Sequence, residues 1–318
     1  MKKVLFAALA GVAVLASCAK TEVVKTSDSV NIRFDNAYVG NPTKAGVVTT
    51  ETIDNFYVYA TKTVGGATEN DFFNNEKVYL SNGVFVYDNL KLWEAATYKF
   101  AAYSNGGNAG VDGKLEGVSF DGTSLAIADY NCDAVKDLVV STKANSIDAA
   151  NDPVQFTFAH ALAMVKFTLK NGIGNNDIEI SNFSVTGVKN TADLTVAADN
   201  AISWGEVTGE TTLSDRDGFT STQALAGESE EFVVIPRTVA QDVDNLTISF
   251  TATITVDGAP VEKELTATID DYAWEPGLRY NYVATITGTD LDVIEFDDPI
   301  VSEWADYKDF DNGEMVIK

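Results

Sequence analysis

The chain has one histidine, two cysteines and six prolines in 318 residues, and its 22 Lys+Arg are outnumbered by 47 Asp+Glu. Each shortage excludes something. With a single histidine, a Ser-His-Asp triad could be built only on His160, and no Gly-x-Ser-x-Gly elbow is there to carry the serine. His-Glu-x-x-His, the phosphate loop ending in Gly-Lys-Ser/Thr and any cysteine cluster are missing as well, which removes the usual ways of holding zinc or a nucleotide. Asp215-Arg216-Asp217-Gly218 opens like a calcium loop, but Phe219 and Ala226 stand where that loop needs oxygen ligands. We read a solvated turn there. The pairs Asp270-Asp271 and Asp297-Asp298 would point to opposite faces of a strand. No catalytic residue, no metal and no cofactor is therefore expected, and the chain is read as a non-enzyme. A net charge of −25 repels phosphate backbones, so nucleic acid is not an expected partner. It suits instead a protein displayed in salty surroundings, where self-repulsion keeps copies soluble.

What is present begins with a targeting segment. Met1-Lys2-Lys3 is basic, Val4 to Leu15 is unbroken apolar sequence, and Leu15-Ala16-Ser17-Cys18 closes it. The run is too short to span a bilayer, so residues 1–17 read as a signal peptide. Its Leu-Ala-Ser-Cys ending resembles the bacterial lipobox, which implies cleavage before Cys18, lipidation of Cys18 and anchorage in the outer membrane. Cys132 is then a lone cysteine, expected to be small and buried. Residues 19–29 read as a tether. Ser29 to Asp35 reads as a strand with Val30, Ile32 and Phe34 on one face, and Asn36 to Thr50 as a loop that carries Lys44.

From Ile53 onward the sequence is a succession of short alternating runs, and the fold class is all-β, two tandem sandwiches. Asn82-Gly83 and Asp257-Gly258 mark hairpin turns. Leu246 to Val256 is the clearest alternating strand, Ser124 to Val135 is the one stretch suited to a short helix, and Glu206 to Asp217 reads as loop. At mid-chain, DPVQFTFAHALAMVKFTLKN carries Phe156 and Phe158 on one parity, then Val165, Phe167 and Leu169 on the other, with Lys166 and Thr168 facing away. That shift places a change of sheet around residues 161–164. The expected organisation is a tether and N-terminal strand at 18–44, sandwiches at 45–155 and 156–304, and a polar tail at 305–318. His160 has no Asp or Glu between Asp152 and Asp177, so we read it as a half-buried ring hydrogen-bonded to backbone.

Several stretches in order resemble the fimbrillins, the lipoprotein-derived subunits of type V fimbriae in Bacteroidales. They are the lipobox at Cys18, Thr43-Lys44-Ala45, the Phe158-Ala159-His160-Ala161 strand, Trp274-Glu275-Pro276-Gly277 with Tyr280-Asn281-Tyr282, and Val301-Ser302-Glu303-Trp304. The resemblance implies two transthyretin-like β-sandwiches and proteolytic processing between Lys44 and Ala45 by a protease of Arg/Lys specificity. Lys44 stands where the best-known members have Arg. Such a cut excises the strand of Val30, Ile32 and Phe34, and a vacated groove is a template for an extended segment. The candidate donor strand is the tail, with Tyr307, Phe310, Met315, Val316 and Ile317 as pocket fillers. The expected function is a structural subunit of a cell-surface fimbrium serving adhesion. Its partners would be other fimbrial subunits, the outer membrane before processing, and a host or bacterial surface ligand. The alternatives are an outer-membrane lipoprotein that binds polysaccharide, or a tip or anchor subunit that does not polymerise.

Overall fold

The computed structural model describes residues 30–39, 48–49, 52–106, 111–142, 144–145, 153–174, 176–238, 245–287, 294 and 296–304. The described residues are all-β and contain no helix. The first half supplies β1 (Phe34–Val39), β2 (Asn55–Val64), β3 (Ala67–Ser81), β4 (Val84–Val86), β5 (Thr97–Asn105), β6 (Val118–Phe120), β7 (Leu125–Asn131), β8 (Leu138–Ser141), β9 (Ala144–Asn145) and β10 (Val154–His160). The second half supplies β11 (Ala163–Asn171), β12 (Ile178–Val188), β13 (Thr191–Val196), β14 (Ile202–Trp204), β15 (Thr211–Asp215), β16 (Phe219–Ser221), β17 (Gly227–Glu228) and β18 (Phe232–Val234). It ends with β19 (Leu246–Val256), β20 (Ala259–Ile269), β21 (Leu278–Ile286) and β22 (Ile300–Glu303).

The largest sheet runs β1-β10-β8-β5-β2-β3-β4, with β9 added on β10. Its middle is buried on both faces. Because side chains alternate along a strand, β2 sends Phe56, Val58 and Ala60 into one core and Tyr57 and Tyr59 into another. The first core is closed by β1 and β3; the second lies under a smaller sheet, β14-β13-β7-β6. In the second half, the sheet β17-β11-β21-β22 faces the sheet β15-β12-β19-β20. Their inner faces share one core that includes Val165, Phe167, Phe183, Phe250 and Tyr282. Both anticipated hairpin turns form. Asn82 and Gly83 sit at φ 52° and 79°, and Asp257 and Gly258 at 52° and 81°. Two consecutive positive values give the turn whose twist matches the strands it joins.

The change of sheet at mid-chain falls between β10 and β11, at Ala161 and Leu162. A boundary at 155/156 would cut β10, whose partners are β1, β8 and β9. The smaller sheet also draws strands from both sides of that point, so the halves share a core through Leu162, Met164 and Leu194. Three local expectations are corrected. Ser124 to Val135 holds β7 rather than a helix, because Asp129 at φ 50° breaks the alternation and gives a bulge against β13. Glu206 to Asp217 contains β15, held by the pairing of Leu213 with Val185. The N-terminal strand spans Phe34 to Val39 rather than Ser29 to Asp35, with Asn31 ahead of it in an isolated bridge to Leu92. Lys166 and Thr168 do face away from the core between the two second-half sheets, yet both are buried. Lys166 pairs with Glu228 at 2.9 Å, and the Thr168 hydroxyl donates to Asn281 Oδ1 at 2.8 Å.

Candidate functional site

The N-terminal segment completes the first core instead of lying on it. Ile32 is 0% exposed and Phe34 2% exposed, with Val30 half-buried beside them and Val39 buried farther along. The ring of Phe34 stacks on Phe156 at 6.2 Å. It meets Phe56, Phe73, Tyr87 and Phe100 edge-on at 5.4–6.3 Å. Edge-to-face pairs at these spacings add to the burial itself.

The segment is also hydrogen-bonded along both sides. On one side the Ile32 N–H donates to the Lys91 carbonyl at 2.8 Å, the Trp93 N–H to the Val30 carbonyl at 2.9 Å, and the Tyr87 hydroxyl to the Ile32 carbonyl at 2.9 Å. On the other, the Val154 N–H donates to the Arg33 carbonyl at 2.7 Å, and β1 pairs in parallel with β10 from Phe34↔Val154 to Val39↔Phe158. Residues 30–32 are thus bonded to the 91–93 segment on one side, and residues 33–39 to β10 on the other, with β1 the end strand of its sheet. Buried residues bracket the interval that carries the expected cut: Val39 before it and Val48 after it. Lys44 and Ala45 lie outside the described residues, as do Cys18 and the tail residues Tyr307, Phe310, Met315, Val316 and Ile317.

A second constellation joins stretches that are far apart in sequence. The ring of His160 lies flat on the indole of Trp304, centroids 4.4 Å apart and planes within 5°. His160 Nδ1 is 2.9 Å from Asp137 Oδ2, and the same oxygen accepts the Val48 N–H at 3.0 Å. Asp137 is fully buried, and its Oδ1 has no hydrogen-bond partner. The Trp304 N–H donates to the Gly277 carbonyl and the Gly277 N–H to the Leu162 carbonyl. The histidine is buried rather than half-buried, and its ring has a carboxylate partner 23 positions upstream that the expectation did not include. The signal that could have found it is an aspartate directly ahead of the apolar run Leu138-Val139-Val140.

The remaining polar groups are structural in their geometry. Asp215 is buried and turns its carboxylate onto the N–H groups of Asp217, Gly218 and Glu230. Tyr57 donates to Asp112, and this hydrogen bond is the main reason that the Asp112 carboxyl is held below its ordinary range. Burial pushes the Cys132 thiol up to about 12. No group of His, Cys, Asp and Glu among the described residues could hold a metal ion.

The described residues form an all-β body in which the N-terminal segment completes the first core. The chain belongs to the fimbrillin-like family, whose model matches residues 43–304. It is similar to a fimbrial protein from Bacteroides vulgatus at 18% identity and TM-score 0.61, over 86% of this chain and 99% of that one. It is also similar to a candidate cell-adhesion protein from Bacteroides ovatus at 14% identity and TM-score 0.52, over 87% and 97% of the two chains. At these identities the likeness is one of fold. No curated protein sequence matches the chain.

Proposed function

We propose that the protein is a structural subunit of a cell-surface fimbrium. It is exported as a lipoprotein acylated at Cys18, cut after Lys44, and assembled when the tail of one copy fills the slot vacated by residues 30–39 of the next. One observation carries this reading: the N-terminal segment buries Ile32, Phe34 and Val39 and is hydrogen-bonded to the 91–93 segment through residues 30–32 and to β10 through residues 33–39. Taking it away leaves apolar pockets beside an unpaired edge of β10, which is the geometry that β-augmentation fills. Membership of the fimbrillin-like family supports the same reading. A head-to-tail contact of this kind does not close on itself, so it extends into a filament.

The tail is too polar to form a core alone, but Tyr307, Phe310, Met315, Val316 and Ile317 supply side chains for the pockets. The test is to delete Tyr307 to Lys318 from protein cut after Lys44 and to look for SDS-resistant ladders and filaments by electron microscopy. The truncated subunit is expected to stay monomeric. Filaments formed by it alone would remove the tail from the donor role.

A further inference from the structure

The histidine of the mid-chain motif, the glycine of Trp274-Glu275-Pro276-Gly277 and the tryptophan of Val301-Ser302-Glu303-Trp304 meet at one junction, and residue 48 reaches the same place from the N-terminal side. We propose that Asp137 and His160 are positioning residues that couple the seating of Val48 to the seating of Trp304. The first described residue after the 40–47 interval and the last described residue of the chain are then held by a single shared contact. In purpose this rests on the fimbrial reading, since it links the processing interval to the root of the tail.

Asp137 acts through buried hydrogen bonds. Asp137 Oδ2 accepts from Val48 N–H at 3.0 Å and faces His160 Nδ1 at 2.9 Å, in a site with no solvent exposure at the aspartate. Its other oxygen already lacks a partner, so Oδ2 has no slack to lose. Withdrawing the Val48 N–H removes a hydrogen bond from a buried acceptor and leaves that oxygen short of partners. The group can recover only by moving or by admitting water. Either response shifts the imidazole, and the indole of Trp304 lies face to face on that ring. On the N-terminal side Val48 is not loosely held. Its side chain is buried, and the next residues are locked by reciprocal bonds from Thr49 N–H to Thr52 Oγ1 at 3.0 Å and from Thr52 N–H to Thr49 Oγ1 at 2.9 Å. On the C-terminal side the Trp304 N–H is tied to Gly277 at 2.9 Å. A change at residue 48 thus has a short, fully packed path to residue 304. Loosened there, the chain that follows Trp304 is easier to give to a neighbour.

Amide hydrogen exchange followed by NMR on the full, uncut chain tests this. Val48→Pro removes the N–H donor but also the buried valine side chain, so Val48→Ala, which keeps the N–H, is measured beside it and should leave Trp304 as protected as in the parent. Asp137→Ala removes the acceptor, and Asp137→Asn keeps one oxygen able to accept both bonds. In Val48→Pro and Asp137→Ala, exchange at the amides of Trp304 and Gly277 is expected to rise about tenfold or more. In Asp137→Asn it should stay within about twofold of the parent, and the β19–β20 hairpin should be unchanged in all four. Loosening confined to residues 48–53 in Val48→Pro, with Trp304 as protected as before, overturns the coupling. Should Asp137→Ala fail to fold, Val48→Pro against Val48→Ala decides. The readout is made on monomer. A chain that shows the coupling and never polymerises overturns the fimbrial reading only, and a polymerising chain without the coupling overturns this inference only.

Discussion

Replacing Phe34 by alanine in the uncut protein tests whether the N-terminal segment is a core element or a surface strap. The ring is 2% exposed and lies within 6.3 Å of five other aromatic rings. Truncating a phenylalanine at such a site costs about 3–5 kcal/mol, through lost transfer energy and the cavity left behind. With a urea slope of about 2–3 kcal/mol per molar for a body of this size, the midpoint should fall by roughly 1–2 M. Val301→Ala, at an exposed edge position, serves as the control and should lie within about 0.5 kcal/mol of the parent. The same arithmetic scales to the whole segment. Burying Ile32, Phe34 and Val39 stabilises by ~1.5–3 kcal/mol each, roughly 5–9 kcal/mol together. That is comparable with the entire stability of a typical domain, about 5–15 kcal/mol. Protein cut in the 40–47 interval and stripped of its N-terminal piece should therefore be close to melting. A synthetic peptide copying residues 28–40 should restore it. A Phe34→Ala loss below about 1 kcal/mol, or a stripped protein as stable as the whole, would refute the reasoning.

Three further outcomes can be checked. Cys18→Ser should leave uncleaved or mislocalised precursor, and normal membrane anchorage of that variant would count against lipidation. Lys44→Gln should accumulate as full-length lipoprotein on immunoblots, because Arg33 has its carbonyl tied to β10 and cuts at Lys20 or Lys25 would spare the strand; unchanged processing would move the site elsewhere. Tyr57→Phe should raise the Asp112 pKa toward the ordinary carboxylate value of about 3.9, since the lost hydrogen bond is the main cause of its depression. The stability that Asp112 contributes is present above its unfolded pKa and is lost as pH falls through its depressed folded value. A carboxyl-detected NMR titration unchanged in Tyr57→Phe would refute that assignment.

Strands that alternate without interruption were legible. Leu246 to Val256 needed no correction, and the parity shift at mid-chain marked the passage from β10 to β11 to within two residues. Alternation failed as a guide where a bulge resets it. In β7, Leu125 and Ile127 keep one parity and Tyr130 leaves it after Asp129 at φ 50°, so the run reads as a helix-like spacing. It failed again in β15, where Leu213 is the only large apolar residue and pairing with Val185 supplies the rest. The slot around residues 30–39 was partly visible because Val30, Ile32 and Phe34 alternate. That the segment is paired on both sides was not, since Lys91, Trp93 and Val154 are distant in sequence. Nor does any local pattern tie Asp137 to His160, or His160 to Trp304.

The central pair of the second-half sandwich has a consequence for how the chain is made. β11 lies in parallel against β21, and the contact of Met164 with Arg279 joins residues 115 positions apart. β22, the last described strand, joins the same sheet at its edge. Almost no part of that core can close until nearly all of the polypeptide has emerged. High contact order of this kind places folding in milliseconds to seconds rather than microseconds. The second half of a chain handed across a membrane from its N-terminus would thus stay open until its final strands arrive, after the first core, complete by Phe158, has had the means to close.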